Sequence, residues 1–431
     1  MKSYNFYKWR IWSILALSFV MSLFHRGALG VISDDITRSL GLTASELSNI
    51  ASVTFYAYAF MQIPAGLLLD YLGYRRISYY GAFITGVGAI ILGSSLNIYF
   101  AYSGRLLVGL GTSVIFISVL KAQRVWFSEK EFTKASGRLS FIGNMGGIIA
   151  TFPLAFLVKG IGWRSSLIFM GMLSIIIAIL IYIYVKNNPK DYGYEPHGVI
   201  SSGEKIKVWS SIKAVVKNSA TWRNFFVLFT LVGCTTTLTG LWGVSYLTSV
   251  YGMTKAKAAF YIAFIVYGLV AGSVFVEKAE KIFKNNIILY PRIANVIIAL
   301  CWGYILFICK GKPSLTVLTV LFFIMGFFAM SHILAFTDIN NNCEAKNSGL
   351  ASSLVNSGEF IGSSIISMLI GFFLDLSWNG QLKEGIRYYV PELYTKSFYI
   401  FFIISLLGVA TSFIGRKKSN FNRVDRNKSV A

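Results

Sequence analysis

Apolar runs of about twenty residues recur along nearly the whole chain, and each is long enough to cross a bilayer as a helix. Lipid offers no partner to an unpaired backbone N–H or C=O, so a spanning run is a helix or a strand of a closed barrel. Barrel strands alternate apolar and polar residues. Runs such as 174–185 do not, so helices are predicted. Six are expected at 11–32, 47–70, 77–96, 100–124, 136–158 and 164–186. Six more follow at 222–250, 255–276, 286–309, 314–338, 348–374 and 397–415. Between them, 187–221 is polar, carries several lysines and holds Pro189, Pro196, Gly198 and Gly203. The expected division is a six-helix bundle at 1–186, a cytoplasmic linker at 187–221, a second bundle at 222–415 and a basic cytoplasmic tail at 416–431.

The pattern repeats at half-chain spacing. Gly41-Leu42-Thr43 precedes helix 2, and Gly252-Met253-Thr254 precedes helix 8, an offset of 211 (252 − 41). Ser136-Gly137 and Asn144-x-Gly146 open helix 5; Ser348-Gly349 and Asn356-x-Gly358 open helix 11, an offset of 212 (348 − 136). Parallel repeats of this kind are related by an axis along the membrane normal. An all-α membrane protein of two pseudo-twofold-related bundles is therefore expected.

Composition agrees. Of the 431 residues, 55% are hydrophobic and 13% charged, where a soluble domain carries about 25% charged residues. The net charge of +22 would suggest a nucleic-acid partner on a soluble protein. Here the positive-inside bias accounts for it, and no nucleic-acid partner is expected. With the N-terminus inside, about 28 of the 40 lysines and arginines fall in inner segments and about 10 in outer loops. That bias puts both termini in the cytoplasm. The first apolar run follows Lys8 and Arg10 and is too long for a signal-peptide core, so it reads as helix 1. Cys234, Cys301, Cys309 and Cys343 show no metal or redox spacing, and no disulfide is expected.

After helix 2 comes Gly66-Leu-Leu-Leu-Asp70-Tyr71-Leu72-Gly73-Tyr74-Arg75-Arg76. This closely resembles the signature of the major facilitator superfamily in the loop between helices 2 and 3, with Tyr71 and Tyr74 where basic residues are usual. Arg105-x-x-x-Gly109-x-Gly111 is similar to the family's helix-4 arginine motif, and Gly143 to Gly147 to its helix-5 glycine motif. The stretch Tyr58 to Gly66, with Gln62 and Pro64, and Gly162-Trp163-Arg164 look like the sugar-phosphate-permease-like, organic-anion branch. The second half lacks a clear signature loop. The resemblance implies secondary active transport by alternating access, with helices 1, 4, 7 and 10 lining a central cavity and helices 2, 5, 8 and 11 flanking it. It also implies that Gly66, Asp70, Gly73, Arg75, Arg76 and Arg105 belong to gating machinery, with Arg124 at the end of helix 4 as partner to Asp70.

Ionisable groups within spans are costly and point to function. Arg26 on helix 1 offers a planar fork suited to a carboxylate or phosphate. Lys121 is a second candidate cation for the cavity. No matching arginine lies on helix 7, which leaves organic acids and amino acids open beside sugar phosphates. Glu359 in mid-helix 11, between Gly358 and Gly362, is the candidate proton-coupling group, with His332 a second. Tyr56, Tyr58, Asn144, Trp242, Tyr246 and Asn356 are expected cavity liners. No HExxH, GxSxG, paired-carboxylate or Walker pattern occurs, so neither an enzyme nor an ATP-driven pump is expected, and no cofactor or metal. The expected protein is a monomeric symporter of a small anionic or zwitterionic solute in a bacterial inner membrane, with protons as coupling ion. An exporter of the same fold and a transporter-like solute sensor are the alternatives.

Overall fold

The computed structural model describes residues 3–194, 208–344, 347–383 and 386–414. The expected tail at 416–431 and the middle of the expected linker lie outside the described residues, as do the side chains of Asp70 and Asn144. Helix α1 spans Tyr4–Leu40. The helical run Ala44–Gly93 breaks at Gly73 (φ 77°, ψ 160°) into α2 before it and α3 after it. Helix α4 covers Ile98–Trp126 with a slight irregularity at its centre. Helix α5 begins as Glu129–Ile149 and continues into the run Phe152–Tyr184, which breaks at Gly162 to give α6. The second bundle holds α7 (Ser219–Tyr251), α8 (Lys255–Ile282), α9 (Leu289–Ile308), α10 (Leu315–Asn341), α11 (Ser348–Leu376) and α12 (Pro391–Thr411). Of the linker, the described parts are a 3-10 turn at Pro189–Tyr192 and a helix at Val208–Lys217.

Among the described residues, 10 helices have the length and hydropathy of membrane spans. The other two long helices, α2 and α5, are more polar, carrying Glu46, Gln62 and Asp70, or Glu131, Lys134 and Arg138. Several helices overrun their apolar windows, because polar caps stop a helix and the edge of an apolar run does not. The Ser3 side chain caps α1 at its start, and Gly41 ends it in the left-handed conformation. A two-residue hairpin, Leu382–Lys383 with Ile386–Arg387, decorates the connection from α11 to α12.

The repeat is physical. Gly41 and Gly252 both end a helix at φ 64°, which a glycine adopts without strain, and Thr43 and Thr254 each cap the next helix. One turn geometry is thus used twice, 211 residues apart (254 − 43). The second pair recurs in packing. A Cβ at Gly146 would lie 2.1 Å from the Val20 carbonyl oxygen, and one at Gly358 would lie 2.3 Å from that of Phe225. So α5 leans on α1 as α11 leans on α7.

The bundles meet along seams of unequal extent, and between them α1 closes on α7, where a Cβ at Gly30 would lie 2.3 Å from the Gly240 carbonyl oxygen. Helices α2 and α11 pack along much of their length, whereas the 152–184 run touches α8 only briefly. One end of the molecule, the near end, carries Tyr4, Trp126 and Ile414, and the opposite, far end carries Gly41, Gly252 and the hairpin.

Candidate functional site

Midway along α1, the Arg26 guanidinium lies half-buried between the bundles. Its central carbon is 5.1 Å from the centre of the Tyr58 ring on α2 and 6.0 Å from that of Phe360 on α11. Those two rings are 4.1 Å apart and tilted by 34°. A cation held against aromatic faces away from bulk water gains about 2 kcal/mol. The Glu359 carboxylate, next to Phe360, lies within Coulombic reach of Arg26, and both charges act on the Tyr58 hydroxyl. Three of the residues singled out in the sequence, Arg26, Tyr58 and Glu359, therefore converge from both bundles.

Helical spacing extends the site by one turn. Gln62 follows Tyr58 by four residues, and Asn356 precedes Phe360 by four, so each shares a face with its neighbour. The Asn356 amide Nδ2 donates to Gln62 Oε1 at 3.3 Å, across the bundle boundary. These carboxamides offer donors and acceptors beside the cation. On the other side of Tyr58 the seam tightens. Ser52 Oγ donates to the Ser364 carbonyl at 3.1 Å, and Ser364 Oγ returns a bond to the Ser52 carbonyl at 3.2 Å. Tyr56, exposed at one edge, approaches Met368 Sδ at 3.1 Å.

Arg105 supports this centre from behind. It is buried on α4 and donates to the backbone carbonyls of His25 at 3.0 Å and Ile50 at 3.3 Å. Its own carbonyl accepts from Thr54 Oγ1 at 2.9 Å. The arginine thus ties α4 to α1 and α2, one residue from Arg26. His25 turns into the first bundle, 2.9 Å from Ser174 Oγ.

The remaining sequence candidates lie elsewhere. Lys121 Nζ donates to the Leu69 carbonyl at 3.2 Å. Leu69 is eleven residues beyond Tyr58 on α2, roughly 16 Å along the helix. Trp242 is buried against α11, its indole N–H pointing at Ser367 Oγ at 3.2 Å. Tyr246 is buried with its hydroxyl on the Gly311 carbonyl at 2.6 Å. Helix α7, which carries both, winds more loosely in π turns at Leu228–Val232 and Leu238–Trp242. His332 lies in a 3-10 turn of α10, with Nδ1 2.9 Å from the Ala329 carbonyl. Asn144 is on α5, its side chain outside the described residues.

The signature stretch is at the near end. Gly73 makes the break between α2 and α3. Arg75 donates from its backbone to Asn187 Oδ1 at 2.9 Å and from Nη2 to the Tyr182 carbonyl at 2.6 Å. Arg76 and Arg124 are exposed, and Gly66 has open space beside it. Of the two departures from the family pattern, Tyr71 is exposed and Tyr74 is buried. Tyr74 donates to the Lys186 carbonyl at 2.7 Å and accepts from Trp126 Nε1 at 2.7 Å, joining α3, α4 and the end of α6.

Two polar clusters carry no signal in the sequence beyond residue type. At the near end, Asp338 of α10 pairs with Arg223 at 2.5 Å and accepts from Asn224 Nδ2 at 2.6 Å. At the far end, Asp375 of α11 accepts from the backbone of α2.

Residues 15–365 match the family described as Major Facilitator Superfamily. A protein of Bacillus subtilis (strain 168), named as a probable galactarate/D-glucarate transporter, is 24% identical over 409 residues, covering 87% of this chain and 88% of its own length. A protein of Cupriavidus necator, named as a probable sulfoacetate transporter, is 22% identical over 378 residues, covering 85% of this chain and 87% of its own. A solved bacterial homologue of the human lysosomal transporter Spinster, in an inward-facing and unoccupied conformation, is similar with a TM-score of 0.72 and 15% identity, covering 94% of this chain and 96% of that one.

Proposed function

This chain belongs to the Major Facilitator Superfamily, and from that premise we infer that it carries a small organic anion by alternating access, with Arg26 as the anion's main contact. The carrying observation is that Arg26 of one bundle meets Phe360 and the field of Glu359 from the other. A site shared by two bundles is the one place a ligand can be passed from one side to the other as they rock. The sugar-acid and sulfonate names of the relatives agree with a guanidinium there.

The anion's carboxylate takes the planar fork of Arg26, and its hydroxyls take the amides of Gln62 and Asn356. Tyr58 and Phe360 wall the site. Glu359 is the proton-responsive group. While Arg26 is free of ligand, its charge compensates the carboxylate. Once the anion occupies Arg26, Glu359 faces a second negative charge, and protonation removes the repulsion. Binding of anion and proton are thereby linked, which is what symport requires. At the near end, Asp70 acts as a gate with Arg124, and the Lys121 bond to Leu69 brings a further cation to that turn.

One chain forms the whole site, so the transporting unit is a monomer. The lysine and arginine bias supports a cytoplasmic near end, and the bacterial relatives support a bacterial cell membrane as the setting. The bias also supports the division at 1–186, 187–221, 222–415 and 416–431. The far end is then the outer end, and the packing there corresponds to an inward-facing state.

The test is uptake into proteoliposomes of D-glucarate, galactarate, sulfoacetate and a neutral hexose, with and without an imposed proton gradient. The expected result is saturable uptake of at least one anion, a rise with inward protons, and sharp loss in Arg26→Lys. Uptake of the hexose alone, unaffected by Arg26→Ala, overturns the reading. Reversing the gradient distinguishes importer from exporter.

A further inference from the structure

A helix begins with N–H groups that have no partner inside it. For α2 these are settled in two ways. The Thr43 side chain accepts from Glu46 N–H at 3.2 Å, while Glu46 Oε2 accepts from Thr43 N–H at 2.8 Å. That box leaves the N–H groups of Ala44 and Ser45. Both point at a residue of the other bundle, more than three hundred positions away. Asp375 Oδ2 accepts from Ser45 N–H at 2.8 Å, and Oδ1 accepts from Ala44 N–H at 3.3 Å.

The carboxylate is itself held in place. Arg387 Nη1, from the hairpin, lies 3.2 Å from Oδ1. The Tyr389 hydroxyl accepts from Ala44 N–H at 3.0 Å and donates to Asp375. Burial and the neighbouring carboxylate push the Tyr389 hydroxyl well above its ordinary range, so it keeps the proton it donates. One turn deeper the seam leaves no slack: a Cβ at Gly371 would lie 2.3 Å from Ser48 Oγ. A second tie across the boundary, Lys255 Nζ to Asp34 at 3.0 Å, is about half exposed on both sides and contributes little.

We propose that Asp375 is a positioning residue of the transport cycle, whose carboxylate caps α2 across the bundle boundary while the far end is shut and sets how readily that end opens. This rests on the alternating-access reading. Opening the far end separates the start of α2 from the end of α11. The two N–H groups then lose a charged acceptor, and the carboxylate loses two donors. The closed far end is favoured by that difference, independently of any ligand at Arg26.

Two cysteine reporters test this in full-length protein lacking the four native cysteines. Ser48→Cys reports the far end, and Ser352→Cys, in the second turn of α11, reports the near end. Each is labelled with a maleimide in detergent, without substrate. In Asp375→Ala, far-end labelling is expected to speed up about tenfold, as loss of a capping acceptor implies, while near-end labelling slows. Asp375→Asn, which keeps one acceptor oxygen, gives a smaller shift in the same sense. Tyr389→Phe serves as the second variant should Asp375→Ala fail to fold, and it shifts both reporters in that sense too. Faster far-end labelling with unchanged near-end labelling makes the contact a local cap and overturns the proposal. No change at either reporter overturns it as well. If D-glucarate, galactarate and sulfoacetate leave both reporters unmoved in the wild type, the anion reading fails, and the Asp375 comparison still stands.

Discussion

The guanidinium of Arg26 and the ring of Phe360 belong to opposite bundles and lie 6.0 Å apart, with the Tyr58 ring closing the triangle. Charge, aromatic surface and the bundle boundary coincide at this contact.

Replacing Arg26 by lysine keeps the charge and removes the fork. Binding of the preferred anion is expected to weaken about tenfold to a hundredfold, the range for loss of a charge-assisted hydrogen bond, and Arg26→Ala more. Equilibrium binding of radiolabelled D-glucarate to purified protein measures it. Wild-type affinity in both variants would make Arg26 a structural residue.

Glu359→Gln imitates the protonated acid permanently. Accumulation driven by a proton gradient should vanish, while exchange of internal for external anion continues. Counterflow and gradient-driven uptake, compared in the same vesicles, separate the two. Unchanged accumulation in the variant would move the coupling role away from Glu359.

Gln62→Ala and Asn356→Ala should discriminate between substrates. A site that bonds hydroxyls loses most on ligands that have them. Affinity for a hydroxylated anion such as D-glucarate is expected to fall by about tenfold, against twofold or less for sulfoacetate. Equal losses for both ligands would mean that the amides serve the bundle contact and not the substrate.

Packing at the repeat is testable without any ligand. Gly358→Val puts a branched side chain where a Cβ alone would stand 2.3 Å from the Phe225 carbonyl oxygen. The expected loss of stability is about 1–3 kcal/mol. Gly349→Ala, where a Cβ meets nothing within 4 Å, should be neutral or mildly stabilising. Thermal unfolding in detergent reads both.

Near-end stability should depend on acid pH through Glu131. Its carboxylate bonds Lys8 Nζ at 2.8 Å, and that bond holds its pKa below the ordinary value. A depressed folded pKa means a contribution present above the unfolded value of about 4.3 and lost as pH falls through the folded one. Glu131→Gln should therefore lower the unfolding temperature at pH 7 and converge with wild type in acid. A difference that grows as pH falls would contradict the assignment.

The architecture was legible because lipid leaves so few solutions for a chain of repeated apolar runs. Arg26 and Glu359 were each legible through the cost of a charge in a span. Their meeting was not, because a sequence gives the face and depth of a residue but not which distant helix it opposes. Gln62 and Asp375 were missed as site residues for the same reason: their partners stand 294 and 330 positions away. Trp242 and Tyr246 show the converse. An aromatic with a polar handle suits a cavity wall or a packed core equally, and here their polar atoms bond Ser367 and Gly311. Tyr74 looked like a lost charge, and it is a buried crosspiece between α3, α4 and the end of α6.

The unequal seams give the molecule a spine and a fore-edge, like a bound book. Along α2 and α11 the serine pair and the far-end carboxylate bind the pages; between α8 and the 152–184 run little holds them. A body bound along one side does not part evenly. Such a body is expected to fan, opening widest at the loose margin. Spin labels on α8 and on the 152–184 run should accordingly report a broader spread of distances than labels on α2 and α11, and equal spreads would mean that both margins are bound alike.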